Sequence, residues 1–351
     1  MVPYILLIGT GLAGGPLLAK RPGARRAYLL ASGMACWLVA SLRYVTGFDY
    51  RSYEDIFQGI AAGGLAEAGR IESGFAVLNW AVARLGGDYR VFLFVFHLLL
   101  TALVFAWIGR YSPLPWLSVY LFLTLPYFAM SMNLLRQALA AAIGLWAYPF
   151  LKARRFPPYC GVVLLASLFH RTVLIMLPLY FLLNLRVSKR HYGAAALLAG
   201  AAYFLADPLM QVFFSAFPRY ESYTASRYWQ GNGFRYLLFP LGLALFAVPL
   251  MRRAARSPGE SPVLANSMFY SLLMQVFITQ HFILERLSVY VAVFSLLALP
   301  EAARLPGRRF SPKARTALLL AWTFAYFLFA AWDGFHGAYP YHGVWSRALS
   351  P

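Results

Sequence analysis

Charge is scarce in this sequence. Only 12% of its 351 residues are Asp, Glu, Lys or Arg, while 61% are hydrophobic and the mean hydropathy is +0.60. A soluble domain carries roughly 25% charge, so the deficit excludes an ordinary soluble fold and implies an integral membrane protein. Alternating strand patterning is also missing, whereas apolar runs of roughly 20 residues recur, so the spans are helices and not barrel strands. Acids are scarcer than bases, 12 against 31, which gives a net charge of +19. In a soluble protein that excess would suggest nucleic acid. Here the bases fall in short loops between spans, so the positive-inside rule accounts for them and no nucleic-acid partner is expected. The two cysteines, Cys36 and Cys160, lie in or next to different spans without metal-type spacing and read as packing residues. Low-complexity segments, a soluble domain and evident internal repeats are lacking. The chain therefore reads as one transmembrane domain, 1–351, with outer loops at 44–90 and 215–235.

The basic clusters set a path. Lys20–Arg26, Arg110, Lys152–Arg155, Arg186–Arg190, Arg252–Arg256 and Arg304–Arg315 can all lie on one, cytoplasmic, side. About 12 spans follow, at 3–19, 27–43, 91–109, 115–132, 134–151, 158–169, 172–185, 193–214, 235–251, 262–282, 287–303 and 314–332, with both termini outside. Met1–Ala19 is apolar, has no positive charge before it and is followed by the first basic cluster, so it reads as a span and not as a removable leader. All four lysines then lie inside, and all but two of the acids, Glu260 and Glu301, lie outside. Outer basic residues are all arginine, which binds phosphate and carboxylate bidentately as lysine does not; an Arg-rich composition is the plain alternative. The spans 158–169 and 172–185 are short and flank His170-Arg171, as a bent hairpin or one re-entrant helix. In the first outer loop, Ala76–Leu85 is apolar but too short to span and suits the interface. The second outer loop is rich in Tyr and Arg. Its aromatic rings offer faces for sugars and are equally normal at a membrane interface.

The stretch Asn133-Leu134-Leu135-Arg136-Gln137 organises the rest. It sits between the apolar runs Trp116–Met132 and Ala138–Phe150, and on one helix Asn133, Arg136 and Gln137 would share a face. Ala138, Ala140, Ala141, Ala142 and Gly144 beside it permit close helix approach. An arginine at such a helix is costly unless it faces a polar cavity or snorkels to headgroups, and its two amide neighbours favour the cavity. On this path further polar residues converge on the outer side: Arg43 and Asp49, His170 and Arg171, Glu285, Arg286 and Tyr290, and Tyr339-Pro340-Tyr341. Four arginines around one outer pocket would suit a diphosphate ligand.

At these residues the sequence resembles the EpsG family of exopolysaccharide polymerases, a branch of the Wzy-like class. The resemblance rests on an ordered set of motifs. They are Arg43-x5-Asp49-x3-Tyr53, Glu72-x-Gly74-Phe75, Asn133-x2-Arg136-Gln137-x2-Ala140, Phe169-His170-x-Thr172, Arg286-x3-Tyr290 and Pro340-Tyr341. It extends from about residue 40 to the C-terminus. It implies an all-α, glycosyltransferase C-like polytopic fold in the bacterial inner membrane. It also implies transfer of a growing glycan from undecaprenyl diphosphate onto the next lipid-linked repeat unit, on the outer face. A chain-length regulator often works beside such polymerases.

The residues suit that chemistry. The leaving group is already a diphosphate, so arginines can stabilise it; with no DxD and no His/carboxylate cluster at metal spacing, no metal or other cofactor is expected. Asp49 and His170 are the candidate bases, with Glu285 third and Arg136 the central cation. Arg43, Asn133, Gln137, Arg171, Arg286, Tyr290, Tyr53 and Tyr341 are candidate substrate contacts. Two other classes compete. A glycan O-acyltransferase would also use an intramembrane histidine, but with an Asp or second His close in sequence. A lipid-linked sugar flippase would show two similar halves and polar residues through the full membrane depth, whereas here they gather at one end.

Overall fold

The structure, a computed structural model, describes residues 1–186, 188–216, 236–256, 260–279, 281, 284–306 and 311–345. The expected second outer loop, 215–235, lies outside the described residues from 217 onward. The protein is all-helical: among the described residues no strand forms, and the one isolated bridge pairs Arg43 with Gly343. The chain divides into two compact units, Met1–Leu174 with Thr323–Pro351, and Ile175–Trp322.

The first unit contains α1 (Val2–Lys20), α2 (Arg25–Ser41), α3 (Tyr50–Gly63), α4 (Ser73–Arg84), α5 (Tyr89–Tyr111), α6 (Pro115–Thr124), α7 (Tyr127–Asn133), α8 (Leu135–Gly144), α9 (Tyr148–Lys152) and α10 (Phe156–Ser167). Helix α2 packs along α5, and α1 along α6. Asp88 starts α5 by accepting the Arg90 and Val91 N–H groups on its side chain, both at 3.0 Å, an N-cap that satisfies two otherwise orphaned donors. Phe75, Phe92 and Phe96 form an aromatic core with Tyr53, with ring centroids 5.6–6.3 Å apart. That core fixes the otherwise polar segment between α2 and α5.

The second unit contains α11 (Met176–Asn184), α12 (Lys189–Phe204), α13 (Ala206–Ala216), α14 (Leu238–Arg256), α15 (Val263–Ile278), α16 (Glu285–Ala292), α17 (Ser295–Arg304) and the first half of α18 (Pro312–Trp332). Buried Asn266 donates to the Leu183 and Leu185 carbonyls at 3.0 and 2.8 Å and accepts from the Tyr192 hydroxyl. Arg315 closes the end of α17 by donating to the Ala302 and Leu305 carbonyls. Glu260 and Glu301, the two acids assigned to the basic side, both pair with Arg253.

Four described helices are long and apolar enough to cross a membrane: α1, α5, α14 and α18. Two bent pairs, α6 with α7 (53°) and α16 with α17 (43°), bring the number to six if each is one span. The expected span 115–132 bends because Leu125 precedes Pro126 and takes an extended backbone, ψ 165°, as the proline ring requires. The expected span 134–151 is interrupted by a 3-10 turn at Leu145–Ala147, after which Pro149 starts α9.

Candidate active site

Glu72 joins three segments of the first unit. It precedes α4 at the N-cap, with an extended backbone and its carbonyl accepting the Ala76 N–H. Gly74, two residues on, donates its N–H to the Leu168 carbonyl at 2.8 Å. A side chain there would put Cβ 2.8 Å from that oxygen, so only glycine lets α4 lie against the turn after α10. Phe75 is fully buried in the aromatic core and anchors the motif.

This docking turns the Glu72 carboxylate onto three donors. Arg136 Nη1 donates at 2.6 Å to Oε2; His170 Nδ1 lies 3.1 Å and the Arg171 N–H 3.2 Å from Oε1. The carboxylate is 8% exposed. Burial alone would raise its pKa, but the His170 hydrogen bond and the Arg136 charge outweigh burial and hold it down at about 2. Glu72 is therefore ionised at neutral pH and can only accept hydrogen bonds. It follows that His170 Nδ1 is the donor in this contact, which leaves Nε2 pointing away from the carboxylate. A carboxylate that fixes the imidazole tautomer is the logic by which a histidine is made a base. Arg136 is 26% exposed, and the Arg171 side chain is exposed with no partner among the described residues. Two arginines are thus tied to Glu72, one through its side chain and one through its backbone.

A second cluster centres on Asn133. Its Oδ1 accepts the Asp49 N–H at 2.9 Å, and its Nδ2 lies 2.9 Å from His336 Nδ1. Gly47, at φ 99°, lets this loop press on the Met132 carbonyl: a Cβ would come within 2.9 Å of it. Asp49 starts α3, and its half-exposed carboxylate has no hydrogen-bond partner among the described residues. Tyr53, one turn on, is buried within electrostatic reach of both Asp49 and Arg136, which links the two clusters.

Asp49, Tyr53, Asn133, Arg136, His170 and Arg171 thus belong to one neighbourhood, with Gln137 buried on the first turn of α8. Asn133, Arg136 and Gln137 do not share one helical face, as the sequence suggested. Helix α7 ends at Asn133, Leu134 breaks the backbone at φ −99°, ψ 62°, and α8 begins at Leu135. Asn133 therefore serves the Asp49 loop and Arg136 serves Glu72. Arg43 is withdrawn, 1% exposed, with Nη1 donating to the Ala40 carbonyl and to His97 Nε2. The Tyr341 hydroxyl donates to the Val39 carbonyl at 2.8 Å. Glu285, Arg286 and Tyr290 lie on α16 in the second unit, where Arg286 and Tyr290 keep their one-turn spacing on a single helix.

Sequence reasoning quoted Glu72 in a motif but gave it no role, and it passed over His97 and His336. The signal for Glu72 was there: an acid followed two residues later by glycine and a buried aromatic. His336 follows Gly334 and precedes Gly337, both at positive φ, a tight turn readable from the glycines, though its partner 203 residues away is not. Among the described residues no three His, Cys, Asp or Glu side chains gather as a metal site.

No curated protein and no solved structure gives a significant match to this chain. A family model does, over residues 26–342, nearly the whole chain and all of the first-unit site. That model describes the EpsG family, a Wzy-like family of exopolysaccharide polymerases, and the chain belongs to it.

Proposed function

We propose that this protein polymerises undecaprenyl-diphosphate-linked oligosaccharide repeat units into exopolysaccharide or O-antigen on the outer face of the bacterial inner membrane. One observation carries the reading: a single ionised carboxylate, Glu72, holds both a cation, Arg136, and the Nδ1 of a histidine, His170. The acceptor hydroxyl gives its proton to His170 Nε2 as its oxygen bonds to the anomeric carbon. The bond from that carbon to the diphosphate oxygen breaks, and the electron pair leaves with the lipid diphosphate. Arg136 and the free Arg171 side chain neutralise the charge that develops there. Because the leaving group is a diphosphate met by guanidinium groups, the step needs no metal. One displacement at an α-linked diphosphate inverts the anomeric centre; a retained linkage in the product would refute this. Asp49, whose carboxylate is uncommitted, is the second candidate base.

The same proposal takes the chain as one transmembrane domain of about 12 spans, with both termini outside and the site facing the periplasm. Its partners are the lipid-linked donor and acceptor, the bilayer and a chain-length regulator. The test is polymerisation by the purified protein in detergent, given a lipid-diphosphate-linked repeat unit and EDTA. Wild type is compared with Arg136→Ala, His170→Ala and Asp49→Asn. A ladder that survives EDTA and is lost in Arg136→Ala and His170→Ala is expected. No ladder, with labelled lipid crossing vesicle membranes instead, would replace the polymerase by a flippase.

A further inference from the structure

One cavity of the first unit lies away from Glu72. It is a groove of about 680 Å³ along α2 and α5, floored by Gly33 and walled by Leu30, Met34, Leu98 and Phe105. Leu30, Met34 and Leu98 are exposed. The groove is tied at both ends. At one end Arg25 Nη2 donates to the Gly109 and Ser112 carbonyls at 2.6 and 3.2 Å; at the other the Trp37 indole N–H donates to the Phe94 carbonyl at 2.9 Å. The Thr101 hydroxyl on its wall is spent on the His97 carbonyl. That leaves Arg26, exposed and without a partner among the described residues, as the uncommitted polar group at one end of an apolar channel.

We propose that this groove holds one anionic bilayer phospholipid, its phosphate on Arg26 and an acyl chain over Gly33. Charge complementarity argues for an anionic head, because the cation sits at one end only. Length argues for a single lipid. Arg26 and Trp37 are eleven residues apart on one helix, about 16 Å at 1.5 Å per residue, and one leaflet of hydrocarbon is about 15 Å deep. A partner transmembrane helix needs both leaflets, twice what the groove offers. A long polyisoprenoid chain would overrun it. On the proposed orientation the basic end faces the cytoplasmic leaflet, which is rich in anionic lipid.

The test is native mass spectrometry of the full chain, delipidated and then titrated with phosphatidylglycerol or phosphatidylcholine of matched chains. Wild type is expected to retain phosphatidylglycerol about fivefold more strongly, the size of one arginine at a charged membrane surface. Arg26→Gln, at an exposed side chain, should remove that preference, and Arg155→Gln should keep it. Gly33→Leu should weaken retention of both lipids; if it fails to fold, Arg26→Gln still decides. Equal retention of both lipids by wild type would overturn the proposal, as would an unchanged preference in Arg26→Gln. Displacement of phosphatidylglycerol by undecaprenyl phosphate in wild type but not in Gly33→Leu would also overturn it, assigning the groove to the carrier.

Discussion

Replacing Glu72 by glutamine keeps the shape of the side chain and removes its charge. In the native protein the carboxylate is held at about 2 against an ordinary 4.5, a difference worth about 3 kcal/mol. Arg136 is a quarter exposed, so solvent screening reduces the usable part to about 2 kcal/mol. The sign is fixed by the depressed value: this stabilisation is complete above pH 4.5 and is lost as pH falls through about 2. At neutral pH the full amount is at stake. In Glu72→Gln the new amide would offer one carbonyl oxygen to donors that now share two carboxylate oxygens, and its NH2 would face a donor. We expect about 2 kcal/mol of folding stability to be lost, read as a lowered unfolding temperature in detergent, and polymerisation to fall as Arg136 and His170 lose their common anchor. Glu72→Ala tests the second role, because it removes the acceptor for His170 Nδ1. Nitrogen-15 spectra of histidine-labelled protein should then show His170 leaving its Nδ1–H form. A Glu72→Gln protein destabilised by less than about 1 kcal/mol would refute the reasoning, as would His170 keeping its Nδ1–H form in Glu72→Ala.

Three further outcomes test the framework of the site. Gly74→Val should destabilise the protein by about 1–3 kcal/mol and lower activity, since its Cβ would press on the Leu168 carbonyl at 2.8 Å; thermal unfolding in detergent measures the first effect. Asn133→Leu strips the Asp49 N–H and His336 of their buried partner. A loss of about 2 kcal/mol is expected, read as a lowered unfolding temperature and reduced polymer yield. Asp88→Ala removes the cap of α5 and should cost about 1 kcal/mol of stability while leaving the rate at low temperature unchanged.

What could be read from the sequence was whatever depends on local pattern. Scarce charge and long apolar runs give an all-helical membrane protein, and the break at His170 follows from two short apolar runs with a polar pair between them. Leu125–Pro126 could have been read as a bend by the same local rule. The break at Leu134 could not, because no proline or glycine marks it. It is paired with the Asn133 side chain reaching the Asp49 loop 84 residues away. Arg43 shows the limit from the other side. An arginine after the second span reads as an outer cation, yet His97 on α5 and the Ala40 carbonyl draw it into the core. Nothing near Arg43 in sequence announces an acceptor 54 residues on. Glu72 had a local signature, but its meaning depended on three donors that only folding assembles.

The polar residues gather where helices break for a reason that precedes catalysis. Every break in an apolar setting leaves backbone donors and acceptors that water cannot reach, and something in the chain must satisfy them. At the turn after α10 it is Glu72 that takes the Arg171 N–H; at the start of α3 it is Asn133 that takes the Asp49 N–H. Both side chains are therefore fixed in place by backbone they cannot release. The groups bound to their remaining atoms, Arg136 and His170 on Glu72 and His336 on Asn133, inherit that rigidity. On the proposed mechanism, a base and a cation held in this way need no reorganisation when charge develops beside them. The Asp49 carboxylate is the contrasting case. Its backbone is pinned by Asn133 while its side chain is left unbound among the described residues, which on the proposed mechanism leaves it open to a substrate.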